Sequence, residues 1–276
     1  MIPAPFTYQR AESLDHTIQI LTDNPDAKII AGGHSLLPLM RLRLARPEML
    51  VDISRIQELK YIKEDDGHVA IGALTRHHDL ANSEALQQLC PIVPFTASQI
   101  GDPQVRHVGT IGGSVAHADP AGDLPTVLVA LGAEFVVRGP NGGTRVVGAG
   151  DFFRGLFEPD LRSNEVLTEI RVPKTAGRGW SYVKFHRRAQ DWALVGVAAL
   201  AANGTGQAVA LTNMADRPIR ATGVEEELAG GADPTAAAER AAEGTRPPSD
   251  AFASAEYRQE LVKVLVRRAL EEAMSR

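Results

Sequence analysis

The sequence predicts an α+β protein, with two α/β lobes followed by a small C-terminal domain of antiparallel strands and helices. An apolar helical repeat over residues 13–22 leads into a short β-branched stretch, which predicts an α/β unit near the N-terminus. Residues 134–147 alternate apolar and polar positions around an Asn-Gly-Gly turn, which is typical of a β-hairpin. Beyond Pro173, apolar strand-like segments give way to a helical tail.

The first lobe is predicted to end near Ser54. Residues 13–22 place three apolar side chains at helical spacing, so one face of this helix would pack on the lobe. These side chains are Leu14, Ile18 and Leu21. Lys28 to Ile30 is a predicted strand that ends at a pair of glycines, and Leu50 to Ile53 is a second predicted strand.

The middle lobe is predicted to continue over residues 55–176. His68 to Ala73 is a predicted strand, and Thr75 is a suitable N-cap for a helical segment from His77 to Ala81. After an apolar run at residues 92–100, the predicted hairpin pairs Glu134 to Arg138 with Thr144 to Val147. The middle lobe therefore ends in antiparallel strands.

The C-terminal domain is predicted over residues 177–276, because the sequence changes character near Thr175 to Gly179. Residues 180–187 alternate, and the small apolar run at 195–202 can pair with residues 207–212 across Asn203-Gly204. Residues 229–242 and 256–274 are predicted helices, the first because it is rich in alanine and the second because it has a broad apolar face. The chain thus divides into residues 1–176 and 177–276.

Composition excludes several functional classes. With 276 residues, 44% of them hydrophobic and 23% charged, the chain can bury its own core, and a net charge of −5 argues against binding nucleic acid. No basic N-terminal segment with an apolar stretch and no run of 18 apolar residues occurs, so we expect a cytoplasmic protein. Cys90 is the only cysteine, and an iron-sulfur cluster would therefore have to lie on a partner.

Two glycine pairs are the most informative feature of the chain. Ala31 to Ser35 reads Ala-Gly-Gly-His-Ser and Thr110 to Ser114 reads Thr-Ile-Gly-Gly-Ser, with 80 residues between equivalent glycines. Loops without side chains let main-chain N–H groups converge on a phosphate, and a hydroxyl adds a donor with little bulk. Each pair alone is more often an ordinary turn, but together they predict two halves of one diphosphate site.

Longer motifs around both pairs carry a family resemblance. Residues 31–45 read AGGHSLLPLMRLRLA, and residues 109–114 (GTIGGS) are followed by residues 117–125 (HADPAGDLP). Neither pair fits a Rossmann fingerprint, a P-loop or a nucleophile elbow. The motifs resemble those of the FAD-binding subunits of molybdenum hydroxylases, and the resemblance covers essentially the whole chain, including residues 102–106 and 182–185.

This resemblance implies an FAD-binding fold of the vanillyl-alcohol-oxidase (PCMH) type, with FAD between two α/β lobes. It assigns the FAD pyrophosphate to both glycine segments, and the flavin to an aspartate, a lysine, an apolar position, a main-chain contact and an aromatic residue. By motif these positions are Ala31, Gly32, Gly33, His34, Ser35, Thr110, Ile111, Gly112, Gly113, Ser114, Asp123, Lys184, Ile100, Leu167 and Trp192. The family commonly has asparagine where this chain has Ser114, whose shorter side chain reaches less far.

The residues themselves leave simpler interpretations open. Asp123 could cap a helix over residues 124–131, Lys184 could be a solvated charge on a strand, and Trp192 could be a core residue. Histidines 77, 78 and 117 have the donor types of a metal site, but they lack helix-face spacing and a third ligand. We interpret them as ordinary polar residues and expect no metal on this chain.

The resemblance implies an oxidoreductase subunit that carries electrons and has no catalytic residue acting on the organic substrate. A small subunit would hold the iron-sulfur clusters and a large subunit the molybdopterin cofactor, in a dimer of heterotrimers, and an acceptor such as quinone would remove electrons from FAD. Such a complex could also bring the chain to the inner face of the membrane. Two alternatives stay open: a self-contained flavin oxidoreductase of the same fold, and a nonredox nucleotide-binding scaffold. The sequence does not identify the substrate of the complex.

Overall fold

The computed structural model describes residues 2–201 and 206–276. The N-terminal lobe contains a three-stranded parallel sheet in which the third strand lies in the centre. Its elements are β1 (Thr7–Arg10), α1 (Leu14–Asp23), β2 (Ala27–Ile30), α2 (Leu36–Arg41) and β3 (Met49–Asp52). Ser13 caps α1 by accepting a hydrogen bond from the N–H of His16. The predicted helix and both predicted strands of this lobe are confirmed.

The middle lobe contains a five-stranded antiparallel sheet and a two-stranded ribbon. The strands are β4 (Ile62–Glu64), β5 (His68–Gly72), β6 (Glu134–Arg138), β7 (Thr144–Gly148), β8 (Phe153–Gly155), β9 (Glu158–Pro159) and β10 (Val166–Pro173). The large sheet has the order β4-β5-β10-β6-β7, and β8 pairs with β9. The predicted hairpin is confirmed as β6 and β7, whereas the central strand β10 had no counterpart among the predicted elements.

Short helices cover this sheet and lead to the glycine-rich segments. They are α3 (His77–Ala81), α4 (Glu84–Leu89), α5 (Ile92–Ser98), α6 (Pro103–Arg106), α7 (Ile111–His117), α8 (Asp123–Leu131) and α9 (Ala149–Phe152), and short 3-10 turns lie at Gln57–Leu59 and Pro140–Gly142. The expected cap of α3 is wrong: Arg76 is the N-cap, and the Thr75 hydroxyl donates instead to the carbonyl of Tyr61. Thr75 therefore ties the helix start to the sheet.

The C-terminal domain is a four-stranded antiparallel sheet with helices on one face. Its elements are β11 (Trp180–Phe185), β12 (Val195–Leu200), β13 (Ala208–Thr212), β14 (Ile219–Arg220), α10 (Thr222–Ala229), α11 (Pro234–Ala238), a 3-10 turn (Glu239–Ala242) and α12 (Ala255–Ser275). The predicted pairing of β12 with β13 is confirmed, while Asn203-Gly204 lies outside the described residues. The prediction of a single helix over residues 229–242 is wrong, because α10 ends before Gly230 and Asp233 caps a new helix.

Helix α8 lies between the two sheets, and every one of its residues is buried. One apolar cluster joins α8 and the middle sheet to one face of the C-terminal sheet, for example through Val127, Ile170 and Ala198. The opposite face of the C-terminal sheet packs on α12 through residues such as Val197 and Leu265. The C-terminal sheet is thus held against the helix that begins with Asp123. In residues 2–201 and 206–276, no helix combines the length and apolar character that crossing a bilayer requires.

Candidate functional site

A cleft of about 790 Å³ opens where the two lobes and the C-terminal sheet meet. All of the predicted site residues except Ile111 line it, including members from each of the three parts of the fold. The Ile111 side chain is fully buried, and its N–H donates to the carbonyl of Thr75, so it faces the protein interior. The predicted site residues, which come from segments far apart in the chain, therefore lie along a single cleft.

The first glycine segment is a loop between β2 and α2. Gly33 has φ +71°, a backbone conformation that residues with a side chain rarely adopt. The N–H groups of Gly32, Gly33, His34 and Ser35 have no hydrogen-bond acceptor within the described part of the chain. The Ser35 hydroxyl makes no cap bond to α2. This loop therefore presents several unused donors beside the cleft, as a site for an anion requires.

The second glycine segment differs from the prediction, because it is the first turn of helix α7 and not a loop. Thr110 caps this helix by accepting from the N–H of Gly113, at 3.1 Å. A methyl group on Gly112 would lie 2.5 Å from Cβ of Ala73, so only glycine lets α7 approach the end of β5. The second pair thus serves close helix packing as well as the cleft surface.

The first glycine segment is in direct contact with the residues immediately before the second one. A methyl group on Gly32 would stand 2.4 Å from the carbonyl oxygen of Val108 and 2.9 Å from Cα of Gly109. Such distances are too short for any side chain, so glycine at position 32 is required for the first loop to reach the segment before α7. The predicted convergence of the two segments is confirmed.

A buried ion pair forms one wall of the cleft. Lys184 Nζ in β11 lies 2.9 Å from Oδ2 of Asp123 in α8, and both side chains are only 7% exposed. The hydroxyl of Tyr182 donates to Oδ1 of the same carboxylate at 2.6 Å. Burial raises the pKa of Asp123, against the opposing effects of the Lys184 charge and the Tyr182 hydrogen bond.

This geometry decides two interpretations that the sequence left open. Gly122 is the N-cap of α8, and the carboxylate of Asp123 bonds to the C-terminal sheet, so capping is not its role. Lys184 is not a solvated charge, because its ammonium group bonds to Asp123 and to the carbonyl of Gln99. Both residues belong to the cleft wall.

The apolar and aromatic positions lie at different depths. Leu167 is 6% exposed and stands at a bulge in β10, while Ile100 is half-buried after α5. Trp192 is 71% exposed, on the segment between β11 and β12. It is therefore not a core residue, although it lines the cleft.

Many residues of the cleft wall were not among the predicted site residues, and His77, His117 and Phe157 are three of them. His77 is 5% exposed, and burial lowers its pKa to about 4. The ring of His117 lies 5.0 Å from the ring of Phe157, which adopts φ +57° in the turn between β8 and β9. His78 stacks on His107 instead and does not line the cleft. Across the described residues, no three His, Cys, Asp or Glu side chains are grouped closely enough to hold a metal ion.

Comparison with known proteins places the whole chain in one family. Residues 4–175 match the family described as FAD binding domain in molybdopterin dehydrogenase, and residues 180–273 match the CO dehydrogenase flavoprotein C-terminal domain. The chain is 41% identical to the carbon monoxide dehydrogenase medium chain of Hydrogenophaga pseudoflava, over 100% of this chain and 99% of the relative. It is 40% identical to the glyceraldehyde dehydrogenase medium chain of Sulfolobus acidocaldarius, over 99% of both chains.

Solved structures agree with these relatives. Carbon monoxide dehydrogenase from Hydrogenophaga pseudoflava superposes with a TM-score of 0.95 at 42% identity, covering 100% of this chain and 99% of that one. Quinoline 2-oxidoreductase from Pseudomonas putida gives a TM-score of 0.93 at 34% identity, with the same coverage. The chain therefore belongs to the FAD-binding medium subunits of the molybdenum hydroxylase family, and it is an oxidoreductase subunit.

Proposed function

We propose that the cleft holds FAD with its pyrophosphate against the two glycine segments. The observation that carries this proposal is the direct contact of Gly32 with residues 108–109, which brings both segments to one wall. The unused main-chain N–H groups of residues 32–35 fit a diphosphate, because each can donate a hydrogen bond to an anionic phosphate oxygen. Hydroxyl groups at Ser35 and Ser114 supply further donors at the same wall.

The flavin part of FAD would be held by Asp123, Lys184, Ile100, Leu167 and Trp192. FAD supplies the chemistry of accepting electrons singly and releasing them in pairs, and the protein supplies orientation and charge. The Lys184 ammonium would favour negative charge on the flavin, and Asp123 would limit that effect. The exposed ring of Trp192 would shield the cofactor from solvent on one side.

We propose that this subunit takes electrons from iron-sulfur clusters on a small subunit and passes them to an external acceptor such as quinone. The molybdopterin cofactor on a large subunit would oxidise the substrate. We propose carbon monoxide as this substrate, because two of the relatives are named carbon monoxide dehydrogenase medium chain. Cys90 is buried and is the only cysteine, so this chain cannot hold a cluster by itself. The complex would be a dimer of heterotrimers.

The proposed division into an FAD-binding domain, residues 1–176, and a C-terminal domain, residues 177–276, follows the change from the middle sheet to the C-terminal sheet. The site would not belong to the first domain alone, because Lys184 and Trp192 come from the second. The C-terminal domain would therefore complete the cofactor site.

The test is to purify the full chain alone and together with its partners. The lone chain should carry one FAD that dithionite reduces reversibly, and carbon monoxide should leave that FAD oxidised. The complex should contain iron, sulfide and molybdenum, and carbon monoxide should bleach its flavin absorbance. A lone chain without flavin contradicts the assignment, and a lone chain whose flavin is bleached by substrate indicates a self-contained oxidoreductase.

A further inference from the structure

Tyr182 is buried next to the cleft without lining it. The side chain is 4% exposed in β11, and its hydroxyl donates to Oδ1 of Asp123 across 59 positions of sequence. At 2.6 Å this is a short hydrogen bond to a carboxylate, of the kind that is stronger than a bond between neutral groups. Tyr182 therefore acts on a residue of the cleft wall from behind it.

Tyr182 and Lys184 hold the same carboxylate from one strand. Side chains two positions apart point to the same face of a strand, and here the hydroxyl takes Oδ1 while the ammonium group takes Oδ2. The ammonium group also donates to the carbonyl of Gln99, at 3.3 Å. Because an ammonium group has three N–H donors, one remains for the cleft that Lys184 lines.

We propose that Tyr182 is a positioning residue of the flavin site, which fixes the Asp123 carboxylate so that the carboxylate holds the Lys184 ammonium at the cleft wall. This inference rests on the proposed binding of FAD in the cleft. Without the hydroxyl, Oδ1 would be a buried acceptor without a donor, and the carboxylate would be free to rotate or take up a proton. Either change alters the position of the Lys184 ammonium group or the degree to which Asp123 balances its charge at the cleft.

The electrostatic consequence has a definite direction. The Tyr182 hydrogen bond and the Lys184 charge both oppose the effect of burial on the pKa of Asp123, and His186 is the other titratable group that lowers it. Loss of the hydroxyl therefore raises the pKa of Asp123 further. Once Asp123 is protonated, the positive charge of Lys184 is no longer balanced, and reduced FAD is favoured over oxidised FAD.

The experiment compares Tyr182→Phe with Tyr61→Phe in the full chain. Tyr61 is a matched control, because its hydroxyl also donates to a carboxylate at 2.6 Å, that of Glu169, and it does not line the cleft. FAD content is measured first, followed by the flavin reduction potential across the pH range in which each protein stays folded.

Both variants should retain FAD. For Tyr182→Phe, the pH-dependent step in the potential should move to higher pH. Between the old and new steps, reduced FAD should gain about tenfold in affinity relative to oxidised FAD, equivalent to about 30 mV for a two-electron couple. The profile of Tyr61→Phe should superimpose on that of the original chain.

An unchanged potential profile in a Tyr182→Phe protein that binds FAD overturns the positioning role. Absence of FAD from the original chain would instead overturn the proposed function. If only Tyr182→Phe loses FAD, the titration of Asp123 is followed in the FAD-free chains by NMR of ¹³C-labelled aspartate, with Asp123→Asn identifying the Asp123 signal. The pH at which this signal shifts should rise in Tyr182→Phe, and an unchanged titration contradicts the proposal even if the variant melts at a lower temperature.

Discussion

The main chain of Gly32 lies against the carbonyl group of Val108, so closely that a methyl group on Gly32 would stand 2.4 Å from that oxygen. Neither atom belongs to a flexible side chain, and the contact can be relieved only by moving one segment of main chain away from the other. The shape of this part of the cleft wall therefore depends on the absence of a side chain at position 32.

Replacing Gly32 with alanine should separate the two glycine segments. We expect FAD affinity to fall at least tenfold and the free energy of unfolding to fall by about 1–3 kcal/mol, as is usual when a well-packed site is overfilled. Flavin absorbance of the purified chain and urea unfolding measure the two effects. Gly150→Ala is the control, because a methyl group at that exposed helical position meets no atom within 4 Å. It should leave FAD content unchanged, and it should raise the free energy of unfolding by no more than about 1 kcal/mol because alanine is the better helix former. Equal FAD content in both variants would contradict this view of the wall.

Replacing Lys184 with methionine should leave the Asp123 carboxylate buried without its partner. Removing one member of a buried ion pair costs about 3–5 kcal/mol in general, and we expect the free energy of unfolding to fall by an amount near the lower end. Any FAD that remains bound should have a more negative reduction potential, since a positive charge is lost. Lys174→Met is the control: its partner Glu64 is 59% exposed, so the loss should be below about 1 kcal/mol. Similar losses in both variants would show that burial of the pair matters little.

His77 should make the chain less stable in acid. Burial lowers the pKa of His77 in the folded chain from 6.5 to about 4, so the unfolded chain takes up the proton first as the pH falls. The stabilisation from neutral His77 is complete above about pH 6.5 and should disappear as the pH approaches 4, a loss of about 3 kcal/mol.

Unfolding by urea at several pH values measures this loss. The difference between the original chain and His77→Gln should change over that pH interval, because glutamine does not titrate. Parallel curves for the original chain and His77→Gln would rule out a buried neutral histidine.

Replacing Trp192 with alanine should affect the cofactor but not the fold. The side chain is 71% exposed, so the free energy of unfolding should change by no more than about 0.5 kcal/mol. Iodide should quench the fluorescence of bound FAD more efficiently in Trp192→Ala, because the proposed shielding of the flavin by the Trp192 ring is lost. Leu156→Ala, a change at a 55% exposed apolar residue that does not line the cleft, is the control. If quenching is the same in all three proteins, Trp192 does not shield the flavin.

The sequence predicted the elements that are determined by residues close together in the chain. The β6–β7 hairpin was predictable because alternation and an Asn-Gly-Gly turn lie within fifteen residues of sequence. Strand β10 was not predicted, although Ile170 and Val172 alternate with Glu169 and Arg171. Its partners β5 and β6 come from distant parts of the chain, so the pairing that makes these eight residues a central strand is not visible in the residues themselves.

The site residues, too, could be predicted only where their determinants are visible in the sequence. Motif resemblance and glycine chemistry predicted the residues whose main chain or charge faces the cleft, because those features appear in the sequence itself. Nothing in the sequence around Phe157 predicts its positive φ, and nothing around Tyr182 predicts that its hydroxyl reaches Asp123. Both properties depend on how separate sheets pack. The helical position of Gly112 was likewise hidden, since it depends on the contact with Ala73.

The bond network that joins α8 to β11 restricts how this chain can be recombined with a relative. A hybrid that joins the first 176 residues of one relative to the last 100 of another must supply an acid at position 123 together with its two donors on the other side of the junction. Where the acid and its donors do not match, the hybrid can keep both sheets folded and still have an altered flavin reduction potential. Recombination between such subunits is therefore constrained at three side chains that no single half encodes.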